Sequence, residues 1–177
     1  MGTDKALLEF RGTTLLERAL QTVRGACAEV SIVGDRGKFA RFGRVVQDVF
    51  PDCGPLGGIH AALLNSSAEL NLVMAVDMPL VSQELLTFLL ATAGQMDAAV
   101  VVPRVGRGFQ PLCAVYRRGF AAVAGGALQA GKYKIDVLFS AVTVKIIEAE
   151  ELTLAGFDEG VFWNLNTPED LRAAEKS

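Results

Sequence analysis

Cysteine is scarce in this sequence, and its spacing argues against the usual cysteine-based scaffolds. Only three cysteines occur in 177 residues, Cys27, Cys53 and Cys113, and none lies in a CxxC pair. An odd number at wide spacing does not suit a disulfide framework or a zinc site. We therefore expect reduced thiols, as in a protein of the cytoplasm.

The sequence also lacks an excess of positive charge and a long apolar run. Its 17 Lys and Arg residues are outnumbered by 20 Asp and Glu residues, which gives a net charge of −3. Nucleic acid is therefore not an expected partner, although a small anionic ligand needs only a local positive site. No apolar run is long enough to cross a bilayer, and no signal peptide pattern follows Met1. We expect a monomer without a membrane partner.

What the sequence does contain is an alternation of short apolar runs with longer amphipathic runs. Strands are predicted at 29–33, 44–48, 71–76 and 98–102, and helices at 15–23, 59–65, 83–93 and 169–175. This alternation predicts an α/β fold of the three-layer Rossmann-like kind, with a mostly parallel central sheet and helices on both faces. After Pro103 the pattern changes, and the predicted strands 112–116 and 142–147 are candidates for an antiparallel course. Without repeats or linkers, residues 1–177 are expected to form one domain.

Ligands of such a sheet bind at the carboxyl ends of its strands, so polar residues there are candidate site residues. Lys5 follows Gly2-Thr3-Asp4 and can lie against a phosphate chain as a point charge, although a lysine near a chain start is usually only solvated. Asp48 ends a predicted strand ahead of Gly57-Gly58, and these glycines open a helix whose N-terminus favours an anion. The alternative for Asp48 is a turn-capping role.

Two more polar clusters follow predicted strands later in the chain. Asp77 comes directly after the most apolar strand, where one carboxylate with substrate phosphates is a usual way to hold Mg²⁺. The alternative is a turn that Pro79 enforces. Asn164 and Asn166 occupy alternate positions of an extended segment and point the same way. The only histidine, His60, lies inside a predicted helix, which favours a packing role over catalysis.

Together these clusters resemble the molybdenum cofactor guanylyltransferase family. The matching segments occur in the family's order over almost the whole chain: Met1-Gly2-Thr3-Asp4-Lys5, Asp48 with Gly54-Pro55-Leu56-Gly57-Gly58, Val76-Asp77-Met78-Pro79, Gln110-Pro111-Leu112 and Asn164-Leu165-Asn166-Thr167-Pro168-Glu169-Asp170. Each segment is a weak signal alone, and five in order are hard to attribute to chance. A smaller departure follows the predicted strand 29–33, where the family often has a polar residue and this sequence has Gly34-Asp35. The resemblance therefore does not imply a nucleoside contact at this point.

The resemblance has one large departure at its start. The family has a first strand and a Gly-rich loop ahead of the Met-Gly-x-Asp-Lys segment, whereas the printed sequence starts at that Met. Either an upstream piece supplies the strand and loop, or the protein does not bind nucleotide in the family's way. We expect the first, because losing a central strand would expose two apolar sheet edges.

The resemblance implies that GTP gives its GMP group to the terminal phosphate of molybdopterin and that pyrophosphate leaves. It implies Lys5 beside the triphosphate, Asp77 on Mg²⁺, Asp48 at the nucleoside, and an acceptor side made by Gln110, Lys132, Asn164 and Asn166. No general base is needed, because the attacking phosphate is already anionic. Transient contacts with proteins that deliver or accept the cofactor are also implied.

Three other functions stay open at this point. A related transferase would use CTP, and a non-catalytic molybdopterin-binding or chaperone module would keep the acceptor side without the phosphate loop. A dinucleotide-dependent oxidoreductase is disfavoured, because no GxGxxG follows a predicted strand.

Overall fold

The computed structural model describes residues 4–165 and Asp170. Within this part, seven α-helices are present: α1 Leu15–Ala26, α2 Arg36–Phe39, α3 Pro55–Leu64, α4 Gln83–Gln95, α5 Phe120–Gln129, α6 Ile135–Leu138 and α7 Ala149–Leu154. Short 3-10 helices cover Lys5–Leu7, Phe139–Ala141 and Glu159–Phe162. Apart from Asp170, the predicted helix 169–175 lies outside the described residues, as does Asn166.

Nine strands alternate with these helices in the described part. They are β1 Glu9–Phe10, β2 Thr13–Thr14, β3 Ile32–Val33, β4 Val45–Val46, β5 Leu70–Met74, β6 Val100–Val105, β7 Gly108–Phe109, β8 Cys113–Arg117 and β9 Val144–Ile147. The alternation confirms the predicted α/β class. No helix of this part has the length and apolarity needed to span a membrane.

The largest sheet is mixed, with β8 between β5 and β6. β8 runs antiparallel to both neighbours, which agrees with the antiparallel course considered for the predicted strand 112–116. β9 pairs in parallel with β6, so an antiparallel course for 142–147 is wrong. Parallel pairing needs a long crossover, and the chain between β8 and β9, which includes α5 and α6, supplies it.

Helices cover both faces of this sheet, which gives the three layers that the sequence predicts. On one face, Val100, Val102 and Tyr116 pack with residues of α3 and α5. On the other face, Val101 and Val115 pack with residues of α4 and α7. Side chains of neighbouring strand residues point to opposite faces, so β6 and β8 are apolar at nearly every position.

Capping residues set the starts of α1 and α3. Thr14 and Glu17 form a capping box, because the Glu17 N–H donates to Thr14 Oγ1 at 3.2 Å and the Thr14 N–H donates to Glu17 Oε2 at 3.0 Å. α3 begins at Pro55, four residues before the predicted start at 59, and Gly54 precedes it with φ 65°. Proline suits the first helical position because its fixed φ is already helical, so Gly57 and Gly58 lie inside the helix.

β3 and β4 form a parallel pair that is not hydrogen-bonded to the large sheet within the described residues. Both strands are shorter than predicted. β5 is also unlike its neighbours: all five of its residues are half-buried, whereas the first four residues of β8 are buried. The apolar sequence of β5 predicts cover on both faces, whereas within residues 4–165 one edge of this strand has no partner strand.

Candidate functional site

An ion pair between Lys5 and Asp77 marks the carboxyl end of β5. Lys5 Nζ donates to Asp77 Oδ2 at 2.7 Å across 72 residues of sequence. The two side chains are 34% and 24% exposed, so the pair is accessible to a ligand while partly shielded from water. The structure therefore brings together the residues that the sequence assigns to phosphate and metal.

The segment that carries Lys5 is held from both sides. Asp4 caps the 3-10 helix by accepting from the Ala6 N–H at 3.2 Å, and it also accepts from Lys38 Nζ at 3.0 Å. The hydrogen bond from Lys38 is the main reason why the pKa of Asp4 lies below its ordinary value. Asp4 is therefore ionised at neutral pH and ties the Lys5 segment to α2.

The Asp77 turn is anchored by two contacts from distant parts of the chain. Arg18 Nε, on α1, donates to the Pro79 carbonyl at 2.7 Å. The N–H of Leu165 donates to the Asp77 carbonyl at 2.8 Å. This N–H belongs to the peptide bond between Asn164 and Leu165, so the Asn164 segment lies beside Asp77. The Asn164 Oδ1 atom is buried and has no hydrogen-bond partner.

Asp48 lies after β4 and packs against the first turn of α3. Its Oδ1 atom accepts from the Phe50 N–H at 2.8 Å, which is the turn-capping role. Its Oδ2 atom is 2.6 Å from the position that a Cβ on Gly57 would occupy. α3 has no side-chain cap hydrogen bond, and Asp48 lies beside its first turn. The turn role is present, and a nucleoside contact stays a prediction.

The close approach of Asp48 predicts opposite effects for two neighbouring glycines. Gly57→Ala is expected to destabilise the fold by about 1–3 kcal/mol, because the new methyl group must displace the Asp48 carboxylate. Gly58→Ala is the matched control, since its Cβ would meet only Val33 Cγ1 at 3.7 Å. It is expected to be neutral or stabilising, because alanine favours a helix. Equal melting temperatures for the two variants would contradict the packing of Asp48 on Gly57.

Gln110 lies at the same end of the sheet as Asp77, where β5 ends and β8 begins. It is two residues before Leu112, whose carbonyl accepts from the Ala75 N–H at 2.7 Å. Its own N–H donates to the Pro103 carbonyl at 2.9 Å, so its position is fixed by the turn between β6 and β8. Gln110 is therefore brought near the Asp77 turn.

Lys132 lies just beyond α5, and its side chain is exposed. Its N–H donates to the Ala127 carbonyl at 2.9 Å. The backbone is thus fixed, and within residues 4–165 no hydrogen bond or ion pair joins the Lys132 ammonium group to Asp77. Its acceptor role stays a prediction.

The oxygen donors at Asp77 suit Mg²⁺ better than a metal ion that needs several protein ligands. Among the described residues, no group of three or more His, Cys, Asp or Glu side chains is placed to hold a metal ion. Mg²⁺ needs less from a protein, because one or two carboxylates suffice when phosphates and water supply the other ligands. Asp77 meets this requirement with its one carboxylate.

Two positioning residues were missed by sequence reasoning, Arg18 and Lys38. Each lies on a helix, where a basic residue on the polar face carries no sign of a distant partner. His60 is buried in α3 and contacts the Phe50 ring, with centroids 5.3 Å apart. Its Nε2 atom is 3.0 Å from where a Cβ on Gly125 would lie, so it fills the contact between α3 and α5.

The sequence was compared with known families and proteins. Residues 1–141 match the family model described as MobA-like NTP transferase domain. A probable molybdenum cofactor guanylyltransferase from Pelotomaculum thermopropionicum is 38% identical over 173 residues, which cover 97% of this chain and 83% of the relative. A molybdenum cofactor guanylyltransferase from Desulfosudis oleivorans is 32% identical over 177 residues, with 98% and 87% covered.

Solved structures with the same fold include nucleotidyltransferases. Molybdopterin-guanine dinucleotide biosynthesis protein A from Archaeoglobus fulgidus superposes with a TM-score of 0.83 at 26% identity, covering 99% of this chain and 90% of that chain. For 2-C-methyl-D-erythritol 4-phosphate cytidylyltransferase from Thermus thermophilus the TM-score is 0.73 at 21% identity, with 97% and 92% covered. The second likeness concerns the fold alone. The Rossmann-like class is confirmed.

Proposed function

The chain belongs to the family of MobA-like NTP transferase domains, and from this premise we propose that it transfers GMP from GTP to molybdopterin. The observation that carries the proposal is the Lys5–Asp77 pair at the carboxyl end of β5, with the Asn164–Leu165 peptide bonded to the same turn. The proposal thus rests on three adjoining groups: a cation that would contact phosphates, a carboxylate that would hold a metal, and an amide segment that would contact the acceptor. Residues 1–177 act as one nucleotidyltransferase domain.

The reaction needs positioning and charge neutralisation more than proton transfer. An oxygen of the acceptor phosphate forms a bond to the α-phosphorus of GTP, and the bond from that phosphorus to the bridging oxygen breaks, so pyrophosphate leaves. The attacking oxygen carries no proton, so a general base is not required. Lys5 holds its positive charge beside the departing phosphates, where negative charge increases.

Mg²⁺ is the proposed cofactor, and Asp77 is the residue that would hold it. When bound, the ion would stabilise charge on the transferred phosphoryl group. The Asp77 carboxylate already lies against one cation, the Lys5 ammonium group, at 2.7 Å. Lys5 keeps this carboxylate from being an isolated charge before nucleotide binds.

The nucleoside and the acceptor occupy opposite sides of the Lys5–Asp77 pair in this proposal. Asp48 and the uncapped N-terminus of α3 form the nucleoside side. Gln110, Lys132, Asn164 and Asn166 form the acceptor side, and the exposed Lys132 faces the acceptor phosphate. Gln110 and Asn164 are each connected to the Asp77 turn by backbone hydrogen bonds of their own segments.

The protein is further proposed to act as a monomer in the cytoplasm. Its three cysteines are unpaired, and burial raises the pKa of the Cys113 thiol to about 12. A thiol with so high a pKa is unreactive at neutral pH, which suits a reducing compartment and a packing role.

Pyrophosphate release tests the reaction and its base preference together. The protein is incubated with Mg²⁺ and molybdopterin, and GTP, CTP, ATP and UTP are supplied one at a time. Release with GTP, dependent on molybdopterin, is the expected result. Release with CTP alone would make the protein a cytidylyltransferase. No release from any nucleotide, with molybdopterin still bound, would support the non-catalytic module and overturn the proposal.

Asn164 tests the assignment of the acceptor side. Asn164→Ala is expected to weaken molybdopterin binding about tenfold, as expected for one lost hydrogen bond to a charged or buried group, and to leave GTP affinity unchanged. Calorimetry with each ligand separates the two effects. Asn71→Ala is the control, because Asn71 lies on β5 and its amide donates to Ala68 at the far end of the strand. Loss of GTP affinity with normal molybdopterin affinity would reverse the two sides.

A further inference from the structure

A cavity lies between α3 and α5, away from the candidate site. Its volume is about 620 Å³, within the range of small-molecule sites, roughly 300–1,000 Å³. Arg118, one of its lining residues, follows the last residue of β8. Because Arg117 pairs with Leu70 at the start of β5, Arg118 lies at the opposite end of the sheet from Asp77. A ligand in this cavity is therefore separate from the Lys5–Asp77 pair.

One end of the cavity favours negative charge. Arg118 is exposed, and its side chain forms no hydrogen bond or ion pair with the described residues. Gly119, which also lines the cavity, precedes α5 and supplies no side-chain cap. The first N–H groups of a helix carry partial positive charge, and those of Gly119 and Phe120 donate to no other group that the structure describes. The Glu69 carboxylate is already paired with another cation, Arg117, at 3.4 Å.

A buried polar side chain on the cavity wall also requires a partner. His60 lines the cavity, only 6% of the residue is exposed, and its Nδ1 atom has no hydrogen-bond partner among the described residues. Its other ring nitrogen, Nε2, lies 3.0 Å from where a Cβ on Gly125 would be. Gly125 lines the cavity as well, so the missing Cβ leaves this edge of the ring open to it. Since buried polar groups are nearly always hydrogen-bonded, His60 indicates a ligand independently of the helix end.

The walls beside His60 are apolar and, along α5, flat. Leu63 and Leu64 line the cavity from α3, and Ala122 and Gly126 line it from α5. Apart from the backbone of its own helix, no described atom lies within 4 Å of where a Cβ on Gly126 would be, so this glycine borders open space. A rigid planar ring covers such a surface with little loss of internal freedom on binding.

We propose that this cavity binds a small organic anion, a flat aromatic ring with a carboxylate or phosphate group at one end and a hydrogen-bonding group at the other. The anionic group contacts Arg118 and the N-terminus of α5, where its charge is favourable. The ring lies between Leu64 and the surface of Ala122 and Gly126, and the hydrogen-bonding group reaches His60. A purely apolar molecule would leave Arg118 and His60 without partners, and inorganic phosphate would leave the apolar walls uncovered.

Amide chemical shifts in NMR test the proposal without reference to transfer activity. The protein is titrated with para-hydroxybenzoate and, separately, with para-hydroxyphenyl phosphate, in buffer without nucleotide or metal. At least one of the two is expected to give saturable shifts at Gly119, Ala122 and Gly126, with a dissociation constant of about 1 mM or lower, which ligands of this size can reach. The tighter of the two identifies the charged group. para-Hydroxybenzyl alcohol lacks the charge and is expected to bind at least about tenfold more weakly.

A leucine on α5 tests whether the ligand occupies the cavity itself. Gly126→Leu fills the cavity without disturbing the packing around it, because the new Cβ enters open space. Gly94→Leu is the matched control, since Gly94 lies inside α4, has an equally open Cβ position and does not line the cavity. Leucine favours a helix over glycine, so both variants are expected to keep or raise the melting temperature. Only Gly126→Leu is expected to weaken binding, by at least about tenfold, because its side chain clashes with the ligand.

Two further variants separate the polar contacts. Arg118→Ala is expected to weaken binding of the anion at least about tenfold and to leave binding of the alcohol unchanged. His60→Phe keeps a ring in the contact between α3 and α5, so it is expected to fold. It should weaken binding of the anion about tenfold, because one hydrogen bond to a buried group is lost.

Four results would overturn the proposal. They are the absence of saturable shifts with both anions, shifts confined to the Asp77 turn, equal binding by the Gly126→Leu and Gly94→Leu proteins, and undiminished binding by His60→Phe. The last result would show that His60 is a packing residue and that the cavity lacks the polar contact on which the ligand depends.

Discussion

Asp77→Ala is expected to lower guanylyl transfer by at least a hundredfold to a thousandfold, the order seen when one group that stabilises a transition state is removed. Asp77 carries the carboxylate at the carboxyl end of β5 and is the only member of the proposed metal site with a full negative charge. Asp77→Asn is expected to be nearly as severe, because an amide oxygen is a weaker ligand for a divalent cation. Turnover is measured as pyrophosphate release in saturating Mg²⁺.

The control for Asp77 is an aspartate at the opposite end of the sheet. Asp97 precedes β6, has a fully exposed side chain and lies 3.8 Å from Arg117. Asp97→Ala therefore also removes one carboxylate from an ion pair, and it is expected to leave turnover unchanged. Circular dichroism should show native folding in both variants. Activity of Asp77→Ala close to that of the unmodified protein would remove Asp77 from the mechanism.

Elements with strong local signals could be predicted from the sequence. The helices α1 and α4 begin at residues 15 and 83, as predicted, and each has a side-chain cap at its start, from Thr14 and Ser82. The apolar strand β6 overlaps the predicted strand 98–102 and continues to Val105. These signals act within a few residues, so tertiary structure has little opportunity to change them. The start of α3 was not predicted correctly, because Gly57 and Gly58 look like residues that precede a helix, whereas the helix begins at Pro55. Only the packing of Asp48 on Gly57 explains why a glycine stands inside the helix.

Pairing between distant strands could not be predicted with the same accuracy. The direction of β9 is set by its neighbour β6 and by the crossover before it, and its own sequence suits either direction. β5 was expected to be covered on both faces, and its half-buried residues show that burial depends on a neighbour that the local pattern does not specify. Strand propensity depends on how side chains pack against neighbouring strands more than on a preference of the backbone itself.

The residues of the candidate site could be named from the sequence, but the hydrogen bonds that join them could not. The sequence singles out Lys5, Asp77 and Asn164 as site residues, and the structure joins the first two by a hydrogen bond and the third by its peptide bond. The supporting contacts of Arg18 and Lys38 carry no local signature, because each reaches a backbone or carboxylate oxygen far away in sequence. Such partners become visible only when the chain has folded.

Lys5→Ala is expected to weaken GTP binding or turnover by about ten- to a thousandfold, the range for losing one charged contact worth a few kcal/mol. Its melting temperature is expected to change little, because a half-exposed ion pair contributes only about 0.2–1 kcal/mol. The matched control is Lys145→Ala, which removes an ion pair of the same 2.7 Å length, to Glu151, from β9.

The two lysine variants separate a role on phosphate from a role in the fold. If Lys5 acts on phosphates, both variants lose a similar small amount of stability, and only Lys5→Ala loses GTP affinity by calorimetry and turnover by pyrophosphate release. Lys5→Arg keeps the charge and should recover part of the binding, although the planar guanidinium does not reproduce the compact ammonium group. A large fall in melting temperature for Lys5→Ala, with normal turnover by the folded fraction, would show that Lys5 serves the Asp77 turn and not the nucleotide.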